Sequence, residues 1–322
     1  MKLDLEKMLD RVEKGHWDVN DFDWSGKTKL QLSREDEIRV CQHFLNLSYI
    51  ERMAAALFLS LSERMEDPTV KAIYKNFHKD EVRHAQAMAR LQDYFDVHAY
   101  KTYLPSKAMM AFFPYFVSSL DTMNPAFANS AVTIGELFLD IALLRALNDY
   151  VEDPLSRAVI EKVNQDESRH VTMDFYMSEY CSDHIMKPKK KSRLPALFNR
   201  DVWGTTIWGQ GFGFDVFLEP MSYLDKGSVR QKEALMRLRR LYGKPELSRN
   251  PAVKQFNDFI ASLESPRGRR IAETVRRAIK AGTGVDLGFM SIVASENMSK
   301  GSGDTAAHPK SAVEMAAEIF EN

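Results

Sequence analysis

Residues 66–84 read EDPTVKAIYKNFHKDEVRH, and residues 152–170 read EDPLSRAVIEKVNQDESRH. The stretches start 86 positions apart and agree at 8 of 19 positions. They share Glu-Asp-Pro at the front, one alanine, and Asp-Glu-x-Arg-His at the back. A core repeat would keep apolar residues. This one keeps charged residues, so it points to a duplicated site.

Each copy opens on a helix start. Asp67 and Asp153 are suited to accept backbone N–H bonds as N-caps, and Pro68 and Pro154 suit the first helical position, where no N–H is needed. Apolar spacing predicts helices from Ser33 to about Met65, Asp67 to about Phe95, Ser106 to Leu120, Ala126 to Tyr150 and Pro154 to about Cys181. Strand alternation is hard to find before residue 195. The expected fold class is all-α, two long helical hairpins joined by a crossover.

The acidic and histidine residues fall into register on these helices. Glu81 and His84 are three apart, as are Glu167 and His170, so each pair shares a helical face. Glu51 and Glu136 lie 30 and 31 residues before Glu81 and Glu167. Glu51 precedes the Asp67 cap by 16 residues and Glu81 follows it by 14; Glu136 precedes Asp153 by 17 and Glu167 follows it by 14. Folding each hairpin brings its glutamates to nearly the same depth. A lone Glu-x-x-His usually marks a solvated face. Here there are two, after matched caps, and Glu51 and Glu136 sit in apolar surroundings where an unpartnered carboxylate costs several kcal/mol. Four carboxylates and two imidazoles facing one another suit a pair of first-row metal ions.

The pattern Glu, Glu-x-x-His, Glu, Glu-x-x-His resembles the ferritin-like di-iron carboxylate superfamily over about residues 33–182. The resemblance implies a four-helix bundle in which Glu51, Glu81, His84, Glu136, Glu167 and His170 bind two iron ions, with O2 as co-substrate. By the same resemblance Asp80 holds His170, Asp166 holds His84, and Arg83 and Arg169 neutralise the aspartates. Asp140, one turn beyond Glu136, is expected to face the same region. The Asp-Glu-x-Arg-His style is similar to bacterial multicomponent hydroxylases and acyl desaturases.

Departures narrow the reading. Met88 stands where the radical-forming reductase subunit has tyrosine. Val163 stands where arylamine N-oxygenases carry a further histidine. Leu139 and Asp140 replace the threonine that related hydroxylases have after the third glutamate, leaving Thr133 as the candidate substitute. His78, three before Glu81, reads as a hydrated or capping histidine, the alternative being an unusual seventh ligand. The expected function is a non-haem di-iron monooxygenase, an oxidoreductase that hydroxylates or N-oxygenates a small organic or carrier-linked substrate. The alternatives are an acyl desaturase-type oxidase and a ferroxidase.

The chain has 322 residues, 44% hydrophobic, with 44 basic and 45 acidic side chains. No uninterrupted apolar run reaches the roughly 18 to 20 residues of a membrane helix, and the N-terminus is too charged for a signal peptide, so a soluble, cytoplasmic protein is expected. Cys41 and Cys181 read as separate buried thiols. No flavin, nicotinamide or iron–sulfur fingerprint appears, so the electrons are expected from an external donor, a reductase or ferredoxin.

The chain divides into an N-terminal segment (1–32), the bundle (33–182) and a basic, aromatic-containing helical extension (183–322). The extension opens with HIMKPKKKSRLP, read as a linker. RDVWGTTIWGQGFGFDVFLEP follows, with two Trp, three Phe and four Gly, unlike an ordinary amphipathic helix and expected to cap the bundle and wall the substrate channel, the alternative being docking on a partner or membrane surface. Helices are predicted near 228–242, 251–263, 267–281 and Ser311–Phe320, with a loop over Gly301–Pro309. From His184 to Lys280 there are 21 Lys and Arg against 9 Asp and Glu, a net of +12, which favours an anionic partner such as an acidic carrier protein, a CoA thioester or a phospholipid surface. No nucleic-acid motif appears. Dimers are common in the superfamily, so a homodimer is what the resemblance suggests.

Overall fold

The structure, a computed structural model, describes residues 3–138, 143–183, 200–225 and 229–283. It is all-α, with no strand among the described residues. In chain order the helices are α1 (Leu5–Lys14), α2 (Arg34–Ser62), α3 (Pro68–Phe95), α4 (Lys107–Ser119), α5 (Pro125–Leu137), α6 (Arg145–Val151), α7 (Pro154–Asp183), α8 (Arg200–Gly213), α9 (Glu219–Leu224), α10 (Val229–Tyr242), α11 (Pro251–Glu264) and α12 (Pro266–Thr283). Helix α2 lies along α3 and α5 along α7; α2 also meets α5, and α3 meets α7, closing a ring of four.

Local chemistry starts these helices where the sequence places the starts. The Ser33 hydroxyl accepts from Asp36 N, and Glu35, Asp36 and Glu37 crowd the first turn of α2, where the helix dipole favours negative charge. Asp67 accepts from Thr69 N and Val70 N. Asp153 accepts from Ser156 N at 2.9 Å, while its other oxygen takes the Thr28 and Tyr94 hydroxyls at 3.0 and 3.2 Å. One cap therefore ties the N-terminal segment, the end of α3 and the start of α7 together. Between the helices Phe44, Leu47, Phe58, Phe77, Leu91 and Phe95 are fully buried, each contributing roughly 1.5–3 kcal/mol. Cys41 and Cys181 are buried free thiols, and burial pushes both up to about 12.

Two expectations need correction. The single helix expected over Ala126–Tyr150 is divided: α5 ends at Leu137, Phe138 and Leu143–Leu144 are π-wound, and α6 closes at Glu152 in the left-handed region (φ 48°). The wider turn redirects side chains, and Phe138 and Leu143 point into a cavity described below. The aromatic and glycine-rich stretch is helical. It forms α8, a π-wound segment over Phe214–Leu218, and α9. Its glycines serve close packing: a Cβ on Gly204 would overlap the Tyr115 ring of α4, and one on Gly211 would lie 3.0 Å from Ala108 Cβ. Leu139, Asp140, the HIMKPKKKSRLP stretch, Gly301–Pro309 and Ser311–Phe320 lie outside the described residues.

Helices α10 and α11 rest on α5. The Tyr242 hydroxyl donates to Ser130 O and Asn250 Nδ2 to Ser178 O. Much of the extension's basic charge is paired, with Arg230 on Asp149 and Glu233, Arg237 on Glu233, Arg239 on Glu264, and Arg276 and Arg277 on Glu273. Among the described residues one helix, α2, has the length and apolarity of a membrane span, and it is the helix whose buried face carries Glu51.

Candidate metal centre

Glu51 of α2, Glu81 and His84 of α3, Glu136 of α5, and Glu167 and His170 of α7 all meet inside the ring of four. All are buried, five of them completely and Glu136 at 4% exposure. Ligand atoms of Glu51, Glu81, His84 and Glu167 lie within 4.8 Å of one another, and so do those of Glu81, Glu136, Glu167 and His170. Glu81 and Glu167 belong to both groups. The duplication has thus produced two overlapping half-sites that share two carboxylates.

Apart from His170 Nδ1, which bonds Glu167 Oε2 at 3.2 Å, most of the polar atoms turned toward this point lack hydrogen bonds. Both oxygens of Glu51 and of Glu81, one of Glu136, one of Glu167, and His84 Nδ1 are buried without a hydrogen-bond partner. His84 Nδ1 lies 3.1 Å from Glu167 Oε1 and His170 Nδ1 3.0 Å from Glu81 Oε1, so these groups are close yet poorly aligned to bond one another. Leaving one buried polar atom unsatisfied costs about 1–3 kcal/mol. A cation that they jointly face would satisfy so many converging on one point. These oxygen and nitrogen donors could hold a metal ion.

The outward nitrogens are fixed from behind. His84 Nε2 lies 2.9 Å from Asp166 Oδ2, and His170 Nε2 lies 3.4 Å from Asp80 Oδ2. Each aspartate therefore reaches across to the other copy's histidine, leaving Nδ1 to face the centre. Arg83 pairs with Asp80 and also lies 3.5 Å from Asp166, while Arg169 pairs with Asp166. Burial raises Asp166, but the bonds from His84 and the charge of Arg169 outweigh it and hold the group at about 2. Phe58 and Phe77 wall His170, their ring centroids 5.2 and 4.1 Å away.

Other charges are pulled apart by the same packing. Burial and the neighbouring Glu81 charge push Glu51 well up; burial and Glu167 do the same to Glu136. Burial also opposes charge on Glu167, but its bond with Glu136 and the His170 imidazolium outweigh that and hold it well down. His84 and His170 are raised well above the usual range, because the surrounding carboxylates outweigh burial.

Several residues fall elsewhere. His78 is half-buried, and its Nδ1 lies 2.9 Å from Ala55 O, outside both ligand groups. The Thr133 hydroxyl donates to Asn129 O at 2.8 Å within its own helix. Met88 and Val163 are buried in the apolar core. Three contributors escaped sequence reasoning. Trp17 Nε1 donates to Asp166 Oδ2 at 2.8 Å, and Arg83 lies 5.2 Å from the Trp17 ring centroid. His16 Nδ1 lies 3.4 Å from Asp80 Oδ1. Asp174 is fully buried one turn beyond His170, both its oxygens lack hydrogen-bonding geometry, and burial pushes it well up. Its i+4 spacing from His170 was the one available signal.

Beside the centre lies an apolar cavity of about 440 Å³. Ile50, Leu57, Phe138, Phe217 and Leu235 contribute to its wall, and Glu136 and Gln231 are its polar side chains. One candidate ligand therefore opens onto apolar space. No protein-family model matches the chain, and no curated protein matches it.

Proposed function

We propose that this chain is a ferritin-like di-iron oxygenase that hydroxylates a small, largely apolar organic substrate, with O2 as co-substrate and electrons from a separate reductase or ferredoxin. The observation that carries the reading is the pair of overlapping buried Glu/His groups with an apolar cavity against Glu136. Two bound iron ions would supply O2 activation and oxidation of a strong bond. Glu51 and His84 would hold one ion, Glu136 and His170 the other, and Glu81 and Glu167 are placed for both.

The chain's own part is binding, orientation and exclusion of water. Asp166 and Asp80 fix the His84 and His170 rings, the arginines hold those aspartates in place, and Trp17 bonds Asp166. The cavity wall presents an almost wholly apolar lining on the Glu136 side. At interior packing density its volume suits roughly 15 to 20 non-hydrogen atoms, within the usual range for small-molecule pockets. An iron-handling protein has no use for such a space, which favours an oxygenase over a ferroxidase.

The test is anaerobic Fe(II) titration followed by one O2 pulse, wild type against Glu81→Ala. Two Fe(II) bound per chain, O2 consumed in the wild type, and loss of both in the variant are expected. Oxidation of iron well beyond two per chain would give the site to a ferroxidase. No iron binding would sink the reading.

A further inference from the structure

We infer that Gln231 selects the occupant of the apolar cavity, its side-chain oxygen accepting from a neutral O–H or N–H group on a molecule that is otherwise hydrocarbon. The lining is almost wholly apolar, and Glu136 and Gln231 are its polar side chains. Glu136 belongs to the candidate metal centre. Gln231 is in neither ligand group, yet it lines the cavity and is only 4% exposed. A buried amide group costs free energy unless it finds a partner, so its presence in this wall calls for one.

Asp225 decides which end of the amide is left to the cavity. The Asp225 carboxylate accepts from Arg230 N at 3.0 Å, from Gln231 N at 2.9 Å and from Gln231 Nε2 at 3.4 Å. Turned round, the amide would set its oxygen against a carboxylate oxygen, and neither could donate. The NH2 end is thereby fixed on Asp225. Among the described residues none donates to Gln231 Oε1. The cavity therefore offers a hydrogen-bond acceptor at this point, which suits an alcohol, a phenol or an N–H group. An ether or an ionised carboxylate has no proton to give it.

The fold sets this acceptor away from the centre. Tyr242, at the end of α10, donates to Ser130 O, while Glu233 and Arg230, near its start, lie 3.7 Å from Arg145 and 2.8 Å from Asp149. Helix α10 thus runs from α6 back along α5, and Gln231 lies toward α6 while Glu136 is on α5. A molecule held by its donor at Gln231 presents to Glu136 a carbon remote from that donor. The inference rests on the proposed function only in calling this molecule a substrate. Its test needs neither metal nor O2, so either idea can fail alone.

Isothermal titration calorimetry on the full chain compares octan-1-ol with its isomer 1-methoxyheptane, which has the same atoms and no O–H, and with octanoate. Wild type is expected to bind the alcohol about fivefold more tightly than the ether, and octanoate more weakly than either. Gln231→Leu is expected to keep the wild-type affinity for the ether, which shows the cavity intact, and to lose the preference for the alcohol. Equal binding of alcohol and ether by wild type would overturn the proposal. So would a preference that survives in Gln231→Leu, tighter binding of octanoate than of the alcohol, or a wild type that binds neither neutral ligand. The comparison of the two isomers uses wild type alone, so it decides even where the variant does not fold.

Discussion

When no ion is bound, the six clustered side chains reach a charge balance of their own. Burial together with a neighbouring carboxylate keeps Glu51 and Glu136 protonated, while the imidazoles keep Glu81 and Glu167 ionised and are themselves protonated. Two anions then face two cations. Two divalent ions held by four carboxylates and two neutral imidazoles are also neutral, so loading exchanges about four protons for two metal ions. The sign follows from the raised groups. Their protons must leave before ligands form, so apparent affinity is weak at low pH and strengthens as pH rises. Titration with Co(II) in an indicator solution near pH 7 is expected to release about four protons per two ions, with affinity dropping steeply below neutrality. Release of two protons would show that the carboxylates were already ionised, and release of none that the imidazoles were neutral as well.

Among the elements, the α4–α8 pair depends on glycine. A valine at Gly204 would force the two helices apart at Tyr115, and such overpacking costs about 1–3 kcal/mol. A Cβ on Gly213 meets nothing within 4 Å, so alanine there is expected to stabilise by about 0.5–1 kcal/mol. Thermal unfolding of Gly204→Val and Gly213→Ala should move in opposite directions; a Gly204→Val as stable as wild type would show that the pair is not closely packed. The same contrast explains what could be read from the chain. The starts of α2, α3 and α7 were legible because capping at Ser33, Asp67 and Asp153 is local, and the Glu and His positions were legible because helical spacing fixes faces. The π-winding at Phe138 and Leu143 was not, because it reflects what those side chains pack into and no local residue dictates it. Glycine-rich α8 read as irregular because its helicity depends on α4. Trp17 could not be found at all: its bond to Asp166 joins residues 149 apart, and no spacing rule reaches that far.

At the scale of the molecule, the ring of four helices and the layers around it enclose a reactive-looking centre and an apolar space that meet at Glu136. Helix α5 supplies the boundary, and Gly135 sits on it, lining the cavity with nothing within 4 Å of where its Cβ would be. Leucine at this position has two separable effects. It replaces the poorest ordinary helix former by a good one, which stabilises an interior helical site by roughly 0.7–1 kcal/mol. It also fills space beside the centre while leaving all six ligand side chains intact. Gly135→Leu is therefore expected to raise the unfolding temperature and still bind two metal ions per chain. Its affinity for a fluorescent hydrocarbon-chain probe should fall at least about tenfold, since a methylene or two decides binding in an apolar pocket. Retained probe binding would place the substrate space elsewhere. Loss of the metal ions would instead mean that the centre and the cavity share one packing arrangement, so that the glycine serves the ligands and not the substrate.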